Sequence, residues 1–121
     1  MAWNLDSDRP IFSQIVERIQ TDIIAGKYKP GEKLPSVRDL AQEAAVNPNT
    51  MQKAFAELER IGLVFSRRTS GRFITEDIPM IESAKTTLAQ QEMNRFLEMM
   101  QKLGYGRDEI LNLLNRTLKK D

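Results

Sequence analysis

Apolar residues recur every three to four positions near the start of the chain. Phe12, Ile15, Ile19 and Ile23 form one stripe, flanked by Ile11, Val16 and Ile24, while Glu17, Arg18, Gln20 and Asp22 take the opposite face. This period predicts an amphipathic helix over residues 10–25, with Pro10 in its first turn and Gly26 at its end. A polar connection follows, punctuated by Pro30-Gly31. Ser36 then caps a short second helix, with Asp39 three residues on and Leu40, Ala41 and Ala44 facing inward. After the corner Ala44-Ala45-Val46, Asn47 caps a third helix and Pro48 takes its first position. Met51, Ala54, Phe55, Leu58 and Ile61 are its buried stripe, and Gly62 ends it.

Residues 63–67 and 72–75 read as strands joined through Thr69-Ser70-Gly71, with Leu63 and Phe65 sharing one face and Phe73 on the core side. Asp77-Ile78-Pro79 reads as a linker. Residues 80–103 then form a long helix with Ile81, Ala84, Leu88, Phe96, Met100 and Leu103 on one stripe. Gly104-Tyr105-Gly106 breaks it, and residues 107–118 form a last helix with Ile110, Leu111, Leu114 and Leu118 apolar. Residues 1–9 are extended, with Trp3 and Leu5 packed on a neighbouring surface, and the final Lys-Lys-Asp is frayed.

Helix, tight corner, helix and hairpin is the plan of a winged helix-turn-helix. The expected fold is α+β and mainly helical: a winged helix-turn-helix domain over residues 1–77, then a two-helix tail over residues 78–121. The apolar stripes alone would fit any packed helix pair. Small residues at Ala41 and Ala54, Val46 plugging the corner and the hairpin behind it make the pattern more specific. Ala45 is a local conflict: the corner favours positive φ, which costs a non-glycine residue on the order of 1 kcal/mol. The tail helices cannot bury their apolar faces as a free appendage. Pairing with a second copy buries both, so a homodimer through residues 78–121 is expected; the alternative is a tail folded back on its own domain.

Composition narrows the function by exclusion. The 121 residues contain no cysteine and no histidine, which removes disulfide scaffolds, thiolate zinc sites and the commonest general base. No nucleophile–base pair, phosphate loop or metal cluster is visible, so the reading is non-enzymatic, with no cofactor and no metal. No apolar run approaches the ~20 residues of a membrane span. The first ten residues are acidic and polar where a signal peptide is basic and then apolar, so a cytoplasmic setting is expected. Net charge is only +1, and any argument for nucleic acid must rest on how the charge is distributed.

That distribution is informative. Helix three offers Asn47, Asn49, Thr50, Gln52 and Lys53 away from its apolar stripe. A capped helix presenting such residues at its N-terminal end fits the major groove, where Asn and Gln pair with adenine and Lys reaches guanine or phosphate. The hairpin carries Arg67, Arg68 and Arg72 with no acidic residue between Ser66 and Arg72, and Gly71 permits close backbone approach. Arg38, near the start of helix two, is placed for a phosphate or base edge. Double-stranded DNA is the expected partner. A winged-helix protein-interaction module acting through its tail is the rival reading, and an RNA-binding winged helix a further one.

The blocks LPSVRDLA and VNPNTMQKAFAELERIGLV, with the glycine-bearing wing SRRTSGRFIT, closely resemble the DNA-binding domain of the GntR family of bacterial transcription regulators. The short two-helix tail further resembles the YtrA subfamily. The chain has no room for the large effector domains of other subfamilies, nor for the aminotransferase-like domain that binds pyridoxal phosphate. The resemblance implies a dimeric, operator-binding repressor, often acting on its own operon and on transporter genes. It places family contacts on Arg38, on Asn47, Pro48, Asn49, Thr50 and Gln52, and on the wing glycine Gly71. Some members carry arginine where Pro48 and Gln52 stand, and Thr69 replaces a frequent wing glycine. Base readout therefore differs from those members, and the resemblance names neither operator nor effector.

Overall fold

The computed structural model describes residues 2–120; Met1 and Asp121, the outer ends of the expected extended and frayed segments, lie outside the described residues. The element order is α1 (Ile11–Ile24), α2 (Val37–Ala44), α3 (Pro48–Arg60), β1 (Val64–Arg67), β2 (Gly71–Ile74), α4 (Ile78–Lys102) and α5 (Arg107–Lys119). This is the mainly helical α+β arrangement that the apolar periods predict. The chain forms two compact units, one ending at Lys85 and the other beginning at Thr86.

In the first unit α3 is the hub, packed against α1, α2 and β1. Met51, Ala54, Phe55 and Leu58 of α3 are buried with Ile15, Ile19 and Ile23 of α1, Leu40, Ala41 and Ala44 of α2, and Leu63, Val64 and Ile74 of the hairpin. Ala41 and Ala54 are both buried, as expected of small residues where helices approach closely. The corner forms as the sequence requires. The Asp39 N–H donates to Ser36 Oγ at 3.0 Å, Ala45 adopts φ 60° and ψ 48°, and the Val46 N–H donates to the Ala41 carbonyl at 3.0 Å. Asn47 caps α3 through Oδ1, which accepts from the Asn49 N–H at 2.7 Å, with Pro48 at the first turn.

The hairpin is antiparallel, pairing Val64 with Ile74, Phe65 with Phe73, Ser66 with Arg72 and Arg67 with Gly71. Its other edge is covered by the segment before α2. The Ile74 N–H donates to the Glu32 carbonyl at 2.8 Å, the Leu34 N–H donates to the Arg72 carbonyl at 2.9 Å, and Lys33 bridges Phe73. This second backbone ladder ties the entrance of α2 to the wing.

Three local expectations are corrected. Phe65 and Phe73 do not join the core. They are half-buried and stack on each other with ring centroids 6.0 Å apart, because it is Val64 and Ile74, one residue out of phase, that face α3. Ile78 and Pro79 are not linker: they open α4, where the Met80 N–H donates to Asp77 Oδ1 at 3.2 Å and a proline in the first turn loses no helical bond. Helix α1 starts at Ile11, and Pro10 is its cap residue.

The N-terminal arm is held at two points. Gln14 is buried in α1. Its amide donates to the carbonyls of Asp6 at 2.8 Å and Arg9 at 3.1 Å, while its Oε1 accepts from the Asp6 N–H at 2.6 Å. Trp3 is buried with its Nε1–H donating to Glu43 Oε2 at 2.9 Å, and the Arg18 guanidinium lies 4.5 Å over its ring.

At the start of α4, Ile81 and Ala84 pack against this core. In the second unit only Ile110 is buried among the described residues, while Met93, Phe96, Leu97, Leu111 and Leu114 leave their apolar faces substantially exposed. They line a groove of about 660 Å³ between α4 and α5, together with Tyr105, Gly106 and Arg107 of the turn that joins the two helices. Glu109 stabilises the turn into α5 by accepting from the Gly106 N–H at 2.9 Å. Asp108 and Glu109 in the first turn, and Arg116 and Lys119 in the last, suit the helix dipole. No helix among the described residues is long and apolar enough to cross a membrane.

Candidate nucleic-acid interface

The apolar stripe of α3 fixes what its other face can do. With Met51, Ala54, Phe55 and Leu58 buried, Asn49, Gln52 and Lys53 are exposed on the opposite side, and Asn47 and Pro48 are exposed at the N-terminal end. Thr50 is half-buried at the rim of a shallow apolar groove shared with Trp3, Leu5 and Val46. Asn47 has a second duty, since its carbonyl-type oxygen is engaged in capping. Asn49, Gln52 and Lys53 are therefore the exposed polar side chains of this helix end that carry no capping duty.

Arg38 is the second residue of α2 and is exposed. Because Leu34 is hydrogen-bonded to Arg72 on β2, the entrance of α2 emerges beside the wing. This same ladder brings in Lys33, which sequence reading passed over as part of a polar connection. Lys33 is exposed, and its Cε lies 3.1 Å from where a Cβ on Gly71 would stand. Gly71 has φ +103°, so a side chain there would be strained as well as crowded. The alternation of Lys33 and Leu34, exposed then buried, was the available signal for this strand-like edge.

The three wing arginines are placed differently. Arg68 is exposed at the tip. Arg67 is also exposed, and its guanidinium lies 5.4 Å over the Phe65 ring and 5.1 Å over the Phe73 ring. The aromatic pair is thus a platform that limits the freedom of this cation. Arg72 turns inward. Its Nε–H donates to Glu59 Oε1 at 3.1 Å, its guanidinium lies 5.3 Å over the Phe55 ring, and its side chain is only 22% exposed. The same Glu59 oxygen accepts from Ser66 Oγ at 2.9 Å. These bonds, first from Ser66 and then from Arg72, hold the Glu59 carboxyl below the usual glutamate range. Thr69 takes φ 64° in the turn, the conformation that a glycine would adopt without strain.

The surface therefore offers a capped helix end with exposed amides and a lysine, flanked by outward cations at Arg67, Arg68 and Lys33, with Arg38 at the adjoining helix entrance. Such a combination suits a groove read by a helix and gripped at phosphate by its flanks.

Comparison with known proteins gives a consistent result. Residues 12–74 match the family model of bacterial regulatory proteins, gntR family. The chain is 38% identical over 111 residues to YhcF, an uncharacterized HTH-type transcriptional regulator of Bacillus subtilis, covering 92% of each. It is 41% identical over 97 residues to the HTH-type transcriptional repressor YtrA of the same organism, covering 80% of this chain and 70% of YtrA. Among solved structures, a GntR family transcriptional regulator from Listeria monocytogenes superposes with a TM-score of 0.84 at 39% identity, covering 93% of this chain and 98% of that one. The DNA-binding domain of AraR in complex with operator ORE1 superposes with a TM-score of 0.54 at 31% identity, covering 62% of this chain and 94% of that one.

Proposed function

This chain belongs to the GntR family of bacterial regulatory proteins, and on that premise we propose that it is a repressor binding a palindromic operator as a homodimer. It is a DNA-binding transcription regulator. The observation that carries the finer reading is the exposed N-terminal face of α3 set beside a wing whose Arg67 and Arg68 point outward. Asn49, Gln52 and Lys53 contact base edges from the major groove. Asn47, Pro48 and Thr50 shape the helix entrance, and Arg38, Lys33, Arg67 and Arg68 grip the backbone. Gly71 lets the wing approach closely, and Arg72 acts from within the wing.

Residues 78–121 form the dimerisation tail, and its pairing surface is the apolar groove beyond Lys85. Two copies related by a two-fold axis read half-sites about one helical turn, roughly 34–36 Å, or a multiple of it apart. By family resemblance the regulated genes are its own operon and transporter genes. The protein works in the cytoplasm, without a cofactor. Gel-shift titration on fragments of the native genome tests the reading: salt-sensitive retention of a fragment upstream of the protein's own operon supports it, and the absence of salt-sensitive duplex binding refutes it.

A further inference from the structure

One carboxylate oxygen joins the reading helix to both strands of the wing. Glu59 lies in the last turn of α3, and its Oε1 accepts from Ser66 Oγ on β1 at 2.9 Å and from Arg72 Nε on β2 at 3.1 Å. Ser66 and Arg72 are register partners, so the oxygen holds the hairpin at a single rung. Arg72 is braced from its other side by Phe55, a core residue of the same helix. Beyond this rung the hairpin continues only through Arg67 and Gly71 to its tip.

We propose that Glu59 is a positioning residue for operator recognition, setting the angle and distance between the base-reading face of α3 and the outward cations of the wing. The inference rests on the DNA-binding reading above. A specific site must meet helix and wing at once, while a non-specific duplex needs only positive charge. A rigid link between the two elements raises the first affinity and leaves the second unaided. Glu59 also assigns the wing cations their duties: Arg72 is spent on the link, and Arg67 and Arg68 remain for phosphate.

Glu59→Ala separates this role from simple electrostatics and from simple stability. Removing the carboxylate adds positive charge and releases Arg72. Affinity for a scrambled duplex then rises or holds, and its salt dependence steepens by up to about 0.9 log units per decade. Positioning predicts that the preference for the selected duplex over the scrambled one falls by about 10-fold, equivalent to roughly 1.4 kcal/mol. A merely structural role would lower both affinities together and leave the preference unchanged.

The experiment uses the full-length protein, the duplex it enriches most from a random pool, and a scrambled duplex of equal composition. Glu59→Gln, which keeps an acceptor oxygen but not the charge, recovers part of the preference and serves as the second variant if the alanine protein fails to fold. Residual dipolar couplings in the unliganded protein give a separate readout. Amides of residues 66–72 share the alignment of α3 in the wild type and lose it in the variant. A wild-type protein that binds no duplex overturns the DNA reading and this inference with it. A wild-type preference that both variants retain in full, or unchanged wing couplings, overturns the inference alone.

Discussion

Arg68→Ala is the perturbation whose size follows most directly from the geometry. Arg68 is exposed at the wing tip. If it neutralises one phosphate, its loss removes one released counterion and makes the dependence of log affinity on log salt shallower by about 0.9. Over the interval from about 50 to about 200 mM salt, the ratio of wild-type to variant affinity then shrinks by roughly 3.5-fold. Arg72 is the internal control. Its charge is already matched by Glu59 at 3.1 Å, so Arg72→Ala changes the slope by much less, whatever it does to affinity. Fluorescence anisotropy of a labelled duplex across a salt series measures both. An unchanged slope for Arg68→Ala, or equal changes for the two variants, would refute the division of duties within the wing.

Other outcomes follow from single residues. Ala45→Gly relieves a left-handed residue worth about 1–2 kcal/mol, against about 0.4–1 kcal/mol of added freedom in the unfolded chain. The melting temperature therefore holds or rises by a few degrees, and a marked fall would contradict the strain assigned to the corner. Gln14→Ala removes the buried amide that accepts from the Asp6 N–H and donates to the Asp6 and Arg9 carbonyls, and costs about 0.5–1.5 kcal/mol per bond lost in urea unfolding; a neutral result would mean the arm is not held by this residue. Leu111→Glu puts charge into the tail groove at a half-exposed position, and the protein should sediment as a monomer while the winged unit stays folded. Tyr28 is pushed above the ordinary tyrosine range, first by burial and then by Asp22. Its contribution to stability is therefore intact below that range and is lost as pH rises through its folded value. Phenolate absorbance of the Tyr105→Phe protein in an alkaline titration checks this: ionisation of Tyr28 below the ordinary tyrosine range would contradict the sign.

The parts of the fold legible in the sequence were those encoded locally. The cap at Ser36, the Asn47-Pro48 start, the glycine after α3 and the apolar periods of α1 and α3 each act within a few residues, and each appears as read except that Ile61 is the half-buried cap residue of α3 and not part of its buried stripe. The wing faces were misread because a hairpin's phase is set by what packs beneath it. Leu63 and Val64 are both buried, so simple alternation from Leu63 put Phe65 inside. Contacts between distant residues left no periodic trace. Trp3 with Glu43, Gln14 with the arm, Lys33 beside Gly71, and Glu59 with Arg72 all depend on where α1, α3 and the wing come to rest. Hence the chemistry of the candidate interface was readable, but which arginine faces outward was not.

On this reading α3 and the wing together read a symmetric duplex. Selection of bound duplexes from a random pool by the full-length protein, at two salt concentrations, tests it most directly. The expected result is one enriched palindromic motif whose recovery falls as salt rises and whose inner positions change with Asn49→Ala or Gln52→Ala. A pool that stays random, or a motif indifferent to both substitutions, would contradict it.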